Sequence, residues 1–215
     1  MKNIQPIIRV ILASLVLAGF PAKANLIPAT EPGFGLNSLT VDTATGLGWL
    51  ELTASTGRSY QQVLAATQPG GIYSGFRFAT APEVLNLFSD GGIPGTGYYS
   101  LSTPAIQSVI TLLGASGLIN GLPGLFGLSA TSTSPGVQNA PAIYATGNNG
   151  TEEYWVNGGG ALYGGGTEYG VTTSDPALGS WLVANVPESP DATLYVLAAA
   201  SLIGFRYFQP KPYAA

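Results

Sequence analysis

The chain has 215 residues, a formal net charge of −4, only 8% charged residues, 30 glycines, 16 prolines, and neither Cys nor His. That composition excludes a disulfide scaffold, Cys- or His-ligated metals, iron–sulfur clusters, a thiol nucleophile and a Ser-His-Asp triad. A hydrophobic fraction of 46% separates it from long soluble disordered chains, and the length suits one domain with appendages.

In chain order, residues 1–24 read as a secretory leader. Lys2 and Arg9 supply positive charge, Val10 to Phe20 is apolar, and Pro21 breaks the run. Ala22-Lys23-Ala24 puts small residues at the two positions a signal peptidase reads, so cleavage is expected after Ala24. The alternatives are a buried helix or a membrane anchor, but the run is short for a span of about 20 residues.

Residues 25–186 form the expected exported domain. Asn25 to Gly35 is a Pro/Gly-containing lead-in. Ser38 to Val41 reads as a strand, Asp42 to Gly46 as a turn, and Leu47 to Leu52 as a second strand, together a hairpin. Ser59 and Gln62 fit a capping box that opens a helix stopped by Pro69-Gly70-Gly71. Phe76 to Ala79 reads as a short strand. A second helix starts with Thr80 as N-cap and Glu83 at the third position, tolerates Pro82 in its first turn, buries Val84, Leu85, Leu87 and Phe88, and ends at Asp90-Gly91-Gly92. A third runs from Thr103-Pro104 to Leu113, with Ile106, Val109, Ile110 and Leu113 as its stripe. Residues 114–141, rich in Gly, Ser, Thr and Pro, read as a long loop or weak strands. Ala142 to Ala145, Glu153 to Asn157, Ala161 to Tyr163 and Glu168 to Thr172 are short strand candidates, and Ser180 to Val186 is a final strand. These periodicities predict an α+β fold.

The C-terminal end carries a third kind of segment. Val186-Pro187-Glu188-Ser189-Pro190-Asp191 is a polar, Pro-rich break, Ala192 to Phe205 is free of charge, and Arg206 and Lys211 follow. Cations after an apolar stretch favour the cytoplasmic side and stop transfer. This layout resembles the PEP-CTERM sorting signal of Gram-negative bacteria: a Val-Pro-Glu-Pro-like motif, a hydrophobic helix (192–205 here) and a basic end. Val186, Pro187, Glu188 and Pro190 carry the motif, with Ser189 interrupting the family's Glu-Pro. The resemblance implies processing by an exosortase-like enzyme after a stay at the inner membrane. Its implied destination is the cell surface or an exopolysaccharide matrix. A plain C-terminal anchor and a buried core helix are the alternatives for residues 187–215.

Between these ends, residues 25–186 keep Arg58 and Arg77 against nine acids, net −7, and hold 28 of the 30 glycines. Without a basic patch, nucleic acid is excluded as a partner. Arg77 lies in an apolar stretch and reads as a structural ion-pair partner of Asp42, Glu51 or Glu83. Asn148, Asn149, Glu152 and Glu153 form the only oxygen-rich cluster. They read first as a solvated turn and secondarily as weak calcium candidates, because hard cations take six to eight oxygens. Tyr60, Tyr73, Tyr98, Tyr99, Tyr144, Tyr154, Tyr163 and Tyr169 read as core and rim, although such residues also stack on sugars. No carboxylate pair has a glycosidase motif, and Gly158-Gly159-Gly160 lacks the Gly-Lys-Ser/Thr of a phosphate loop.

The order Asp42-x-x-Thr45-Gly46-Leu47-x-Trp49, a capped helix, then Gly75-Phe76-Arg77-Phe78-Ala79-Thr80-x-x-Glu83-Val84-x-x-Leu87 resembles the exported domains of PEP-CTERM proteins. More distantly it is similar to bacterial C-type-lectin-like domains of the Lcl C-terminal kind. The resemblance implies a small twisted antiparallel sheet with two or three short helices, a long irregular loop region and a closing strand at Trp181. The resulting expectation is a non-enzymatic exported envelope protein that needs no cofactor and has signal peptidase, an exosortase-like enzyme, the inner membrane and an exopolysaccharide as partners. The alternative is a carbohydrate-binding, lectin-like module that uses calcium.

Overall fold

The computed structural model describes residues 25–148, 151–158 and 168–186. The expected leader 1–24, the strand expected at Ala161 to Tyr163, Asn149, Pro187, Glu188, Pro190, the apolar stretch 192–205, Arg206 and Lys211 lie outside the described residues. Among the described residues, no helix is long and apolar enough to cross a membrane.

Among the described residues the fold is mostly-sheet α+β with three α-helices. Its first sheet begins earlier than the lead-in reading predicts. β1 (Leu26–Glu31) turns back at Pro32 and Gly33 into β2 (Gly35–Asp42). Pro28 is tolerated because β1 lies at the sheet edge, where a missing N–H breaks no ladder. The β2–β3 turn forms as expected: Asp42 accepts from Ala44 N at 2.9 Å and from Thr45 Oγ1 at 2.6 Å, and Gly46 sits at φ 70°. β3 (Leu47–Leu50) stops short of Leu52, because Leu52–Ser55 winds into a 3₁₀ turn that buries Leu52.

Helix α1 (Tyr60–Ala66) carries the expected capping box, with Ser59 N donating to Gln62 Oε1 at 2.8 Å and Gln62 N to Ser59 Oγ at 3.3 Å. β4 is only Arg77–Phe78. Helix α2 (Ala81–Asp90) starts on the Thr80/Glu83 box, and helix α3 (Pro104–Leu113) buries Ile106, Val109, Ile110 and Leu113. Thr103 stands at the α3 N-cap without a side-chain cap bond.

Of the two readings for 114–141, a long loop or weak strands, the structure takes the strands. The stretch folds into β6 (Gly117–Ile119), β7 (Leu122–Leu128), β8 (Ser132–Ser134) and β9 (Val137–Asn139), and β5 (Gly97–Ser100) forms ahead of α3. The glycines that mimic a loop are there for space. A Cβ on Gly127 would sit 2.7 Å from both Leu52 Cδ2 and Trp181 Nε1. β10 (Ala142–Asn148) and β11 (Thr151–Asn157) then make a long antiparallel hairpin, followed by β12 (Glu168–Gly170), β13 (Gly179–Ser180) and β14 (Leu182–Asn185).

Three sheets result. The first has the order β1-β2-β3-β14-β4 and is antiparallel throughout. The second runs β13-β7-β10-β11-β5, with β6 also on β7, and β13 pairs β7 in parallel. A small third sheet runs β12-β9-β8. The first sheet is covered on both faces, so neighbours Trp49 and Leu50 are both buried, as are Leu182 and Val183. Trp49 and Val183 join α2, α3 and the second sheet in one core, while Leu39, Leu50, Phe78 and Leu182 pack with Val63 and Tyr73 in another.

The expected single strand Ser180 to Val186 is divided at Trp181, where the chain changes sheets. Trp181 N donates to Leu128 O at 2.9 Å, its carbonyl accepts from Ala79 N at 2.8 Å, and its indole N–H reaches Pro141 O at 3.0 Å. Its ring stands edge-to-face to Trp49 and Phe88.

Candidate functional site

The second sheet presents an aromatic row on the face turned away from the core. Along β10 and β11, Ile143, Ala145, Tyr154 and Val156 point into the core. Strand alternation therefore sends Tyr144 and Trp155 to the opposite face. Register sets Tyr144 opposite Trp155, and Trp155 opposite Tyr98 of β5. Phe126 of β7 completes the row. Centroid separations are 5.3 Å for Phe126–Tyr144, 5.3 Å for Tyr144–Trp155 and 5.9 Å for Trp155–Tyr98. Four strands about 4.8 Å apart thus carry one continuous ladder of rings.

The ladder has a closed end and an open one. Phe126 and Tyr169 pack partly against the second core. Burial, and then the neighbouring Tyr98 and Tyr169, push the Tyr144 hydroxyl up to about 12. Burial, and then the Asp175 charge, raise Tyr169. Both phenols therefore stay protonated, and remain hydrogen-bond donors, across the physiological range. At the other end Tyr98 is 52% exposed, on a strand that edges the sheet among the described strands.

Beside the aromatic row runs a polar one. Two residues further along each strand, Thr146 of β10 is in register with Glu153 of β11, and Glu153 with Ser100 of β5. By alternation all three share the face of Tyr144, Trp155 and Tyr98. Ser100 Oγ lies 2.9 Å from Ser102 Oγ. The planes of Trp155 and Tyr98 lie within 14° of one another, while Tyr144 is turned 68° to Trp155, so the row is stepped; flanked by hydroxyls and a carboxylate, it suits a ligand with one apolar face and one hydroxylated edge.

The remaining candidate residues fall elsewhere. Arg77 pairs with Glu83, not with Asp42 or Glu51. Its Nη2 donates to Glu83 Oε1 at 2.6 Å and its Nη1 to Oε2 at 3.0 Å. Glu83 Oε2 also accepts from Thr80 N at 2.8 Å and Thr80 Oγ1 at 3.0 Å. The Arg77 hydrogen bond is the main reason that the Glu83 carboxyl falls to about 2. The guanidinium is half exposed, and the cluster ties β4 to the start of α2.

Asp42 is fully buried in its turn, and Asp90, the last residue of α2, interacts with it electrostatically. Burial first, then the neighbouring Asp42 carboxylate, raise the Asp90 carboxyl above its ordinary range. Glu51 accepts from Thr53 Oγ1. Of the calcium candidates, Asn148, Glu152 and Glu153 lie on the β10–β11 hairpin and Asn149 lies outside the described residues. Among the described residues no three acidic side chains gather as a metal site requires.

Tyr73 and Tyr154 are core, and Tyr60 stacks on Phe78 at 4.3 Å. Tyr163 lies outside the described residues. Val186, the first residue of the expected sorting motif, donates its N–H to Gly46 O at 3.0 Å. Phe126 and Trp155, two of the four ladder rings, were not site candidates on sequence grounds. The alternation in Glu153-Tyr154-Trp155-Val156 carries the only local trace of Trp155's role.

Comparisons with family models, with curated proteins and with solved structures find no match to the chain.

Proposed function

We propose that this chain is an exported, non-enzymatic protein of a Gram-negative cell envelope that holds polysaccharide on its aromatic ladder. The observation that carries the glycan reading is the row Phe126–Tyr144–Trp155–Tyr98, open at Tyr98 and lined by Thr146, Glu153 and Ser100. The apolar faces of pyranose rings stack on aromatic rings, and the sugar hydroxyls need polar partners alongside. The face supplies both.

Export rests on the leader ending at Ala24. Retention at the inner membrane and exosortase-like processing rest on the resemblance of residues 186–211 to a sorting signal. The surface or an exopolysaccharide matrix is then the destination. The lectin-like topology belongs to the same proposal. It is supported by β14, just after Trp181, lying between the Leu47–Leu50 strand and the Arg77–Phe78 strand, the two segments that carry the resemblance.

The test is co-sedimentation of the purified full-length chain with insoluble polysaccharides, alongside Trp155→Ala and Tyr98→Ala. Aromatic contacts are each worth about 0.5–1.5 kcal/mol, so each variant should bind about 2- to 12-fold more weakly. Its unfolding should remain cooperative. Unchanged binding in both variants refutes the glycan reading.

A further inference from the structure

We infer that the glycan held by this face is an uncharged, extended polysaccharide, laid across the strands, and that Glu153 is the residue that selects it. The inference rests on the glycan reading above and adds to it a ligand class, a direction and a specificity residue.

The direction follows from register. Tyr144, Trp155 and Tyr98 form one line perpendicular to the strands, and Thr146, Glu153 and Ser100 form a second line parallel to it. Two residues along a strand separate the lines by about 6.5–7 Å, so ring faces and ring-edge hydroxyls of one chain can meet both lines at once. A chain laid along the strands would cross from the aromatic line to the polar line and lose this match. Successive contacts across the strands recur at the strand spacing, so an extended glycan keeps its register over several sugars.

The class follows from charge. The strands of the second sheet contain no Lys or Arg and carry Glu152 and Glu153. The domain's two cations are engaged elsewhere: Arg77 with Glu83, and Arg58 over the Tyr73 ring at 6.0 Å. A uronate or sulfate on the glycan therefore meets a carboxylate with no counter-charge. Among the described residues no donor is bonded to the Glu153 carboxylate. It remains available to accept from sugar hydroxyls, and it repels anionic groups at the same position.

The experiment measures binding of the full-length chain to two kinds of support. One is a set of insoluble neutral glycans (cellulose, chitin and xylan), and the other is alginate coupled to beads. Wild type, Glu153→Gln and Trp155→Ala are compared at low salt. The expected result is wild-type binding to at least one neutral glycan and about tenfold weaker binding to alginate. In Glu153→Gln that preference narrows: neutral binding falls by about tenfold with the loss of a charged acceptor, and alginate binding rises. Gln is isosteric with Glu at this surface position, so the fold is not at risk, and circular dichroism checks it. Equal or stronger wild-type binding to alginate overturns the inference while leaving the glycan reading intact. So does a Glu153→Gln preference equal to wild type. Binding to none of the supports, with Trp155→Ala indistinguishable from wild type, overturns the glycan reading itself.

Discussion

The Arg77–Glu83–Thr80 cluster gives a stability prediction that separates two contributions made by one carboxylate. Glu83 caps α2 and also pairs with Arg77, receiving four donors between 2.6 and 3.0 Å. Its carboxyl falls from 4.5 to about 2. Converting that gap in full gives roughly 3 kcal/mol. Arg77 is 53% exposed and Glu83 28%, so solvent screening reduces this to about 1–2 kcal/mol. The folded-state value is depressed, so the stabilisation is fully present above pH 4.5 and is lost as the pH falls from there toward 2.

Glu83→Gln keeps an acceptor at the third helical position, and so keeps the capping box, but removes the charge. At pH 7 this variant should lose about 1–2 kcal/mol, a Tm decrease of about 2–8 °C for a domain of this size. Its acid-side decline between pH 4.5 and 2 should be shallower than wild type. Thr80→Ala should cost about 1 kcal/mol through the lost cap yet retain most of the acid dependence. Thermal unfolding followed by circular dichroism at several pH values measures both effects. A Glu83→Gln variant with the wild-type Tm at pH 7, or with the wild-type acid slope, refutes the argument.

Two further outcomes follow from the geometry and from the proposal. Gly127→Ala places a methyl group 2.7 Å from Leu52 Cδ2 and Trp181 Nε1. It should cost about 1–3 kcal/mol by overpacking, and an unaltered Tm would show that the close approach relaxes freely. Deletion of residues 187–215 should move the protein from the membrane or surface fraction to the periplasm, and an unchanged distribution would remove the sorting proposal.

What was legible in the sequence was local. The Ser59/Gln62 and Thr80/Glu83 boxes form as the residue types dictate, since each cap is decided within four residues. The α3 stripe is buried because its spacing matches one helical face. The β2–β3 turn follows from Asp42, Thr45 and Gly46 alone. Features that depend on distant chain were not legible. β7 contains Gly124 and Gly127, glycines that leave its stretch between a loop and weak strands, whereas their role is to admit Phe126, Ile143, Leu52 and Trp181 at close range. The chain's change of sheet at Trp181 depends on Leu128, Ala79 and Pro141, 40 to 102 positions away. The aromatic ladder needs the register of four strands, and no single strand contributes more than one of its rings. Of Arg77's three candidate partners, the nearest in sequence is the one it takes, because Glu83 is already fixed at the helix start.

The placement of the ladder bears on how such a surface can bind at all. Tyr and Trp have only two side-chain torsions each, and cross-strand contacts at 5.3–5.9 Å hold the rings against one another. The strand beneath Phe126 is fixed in turn: Leu125 and Leu128 are fully buried, β13 pairs along it, and the Trp181 amide binds the Leu128 carbonyl. Ordering a mobile aromatic side chain on binding costs about 0.5–1.5 kcal/mol, comparable to what one ring contact returns. A loose set of four rings would therefore gain almost nothing from a glycan. A pre-ordered set keeps nearly the whole of each contact, and its affinity grows with the number of sugars in register. On the glycan proposal the rigid end at Phe126 and the open end at Tyr98 would have separate roles: the first would limit the entropy lost on binding, and the second would admit the chain.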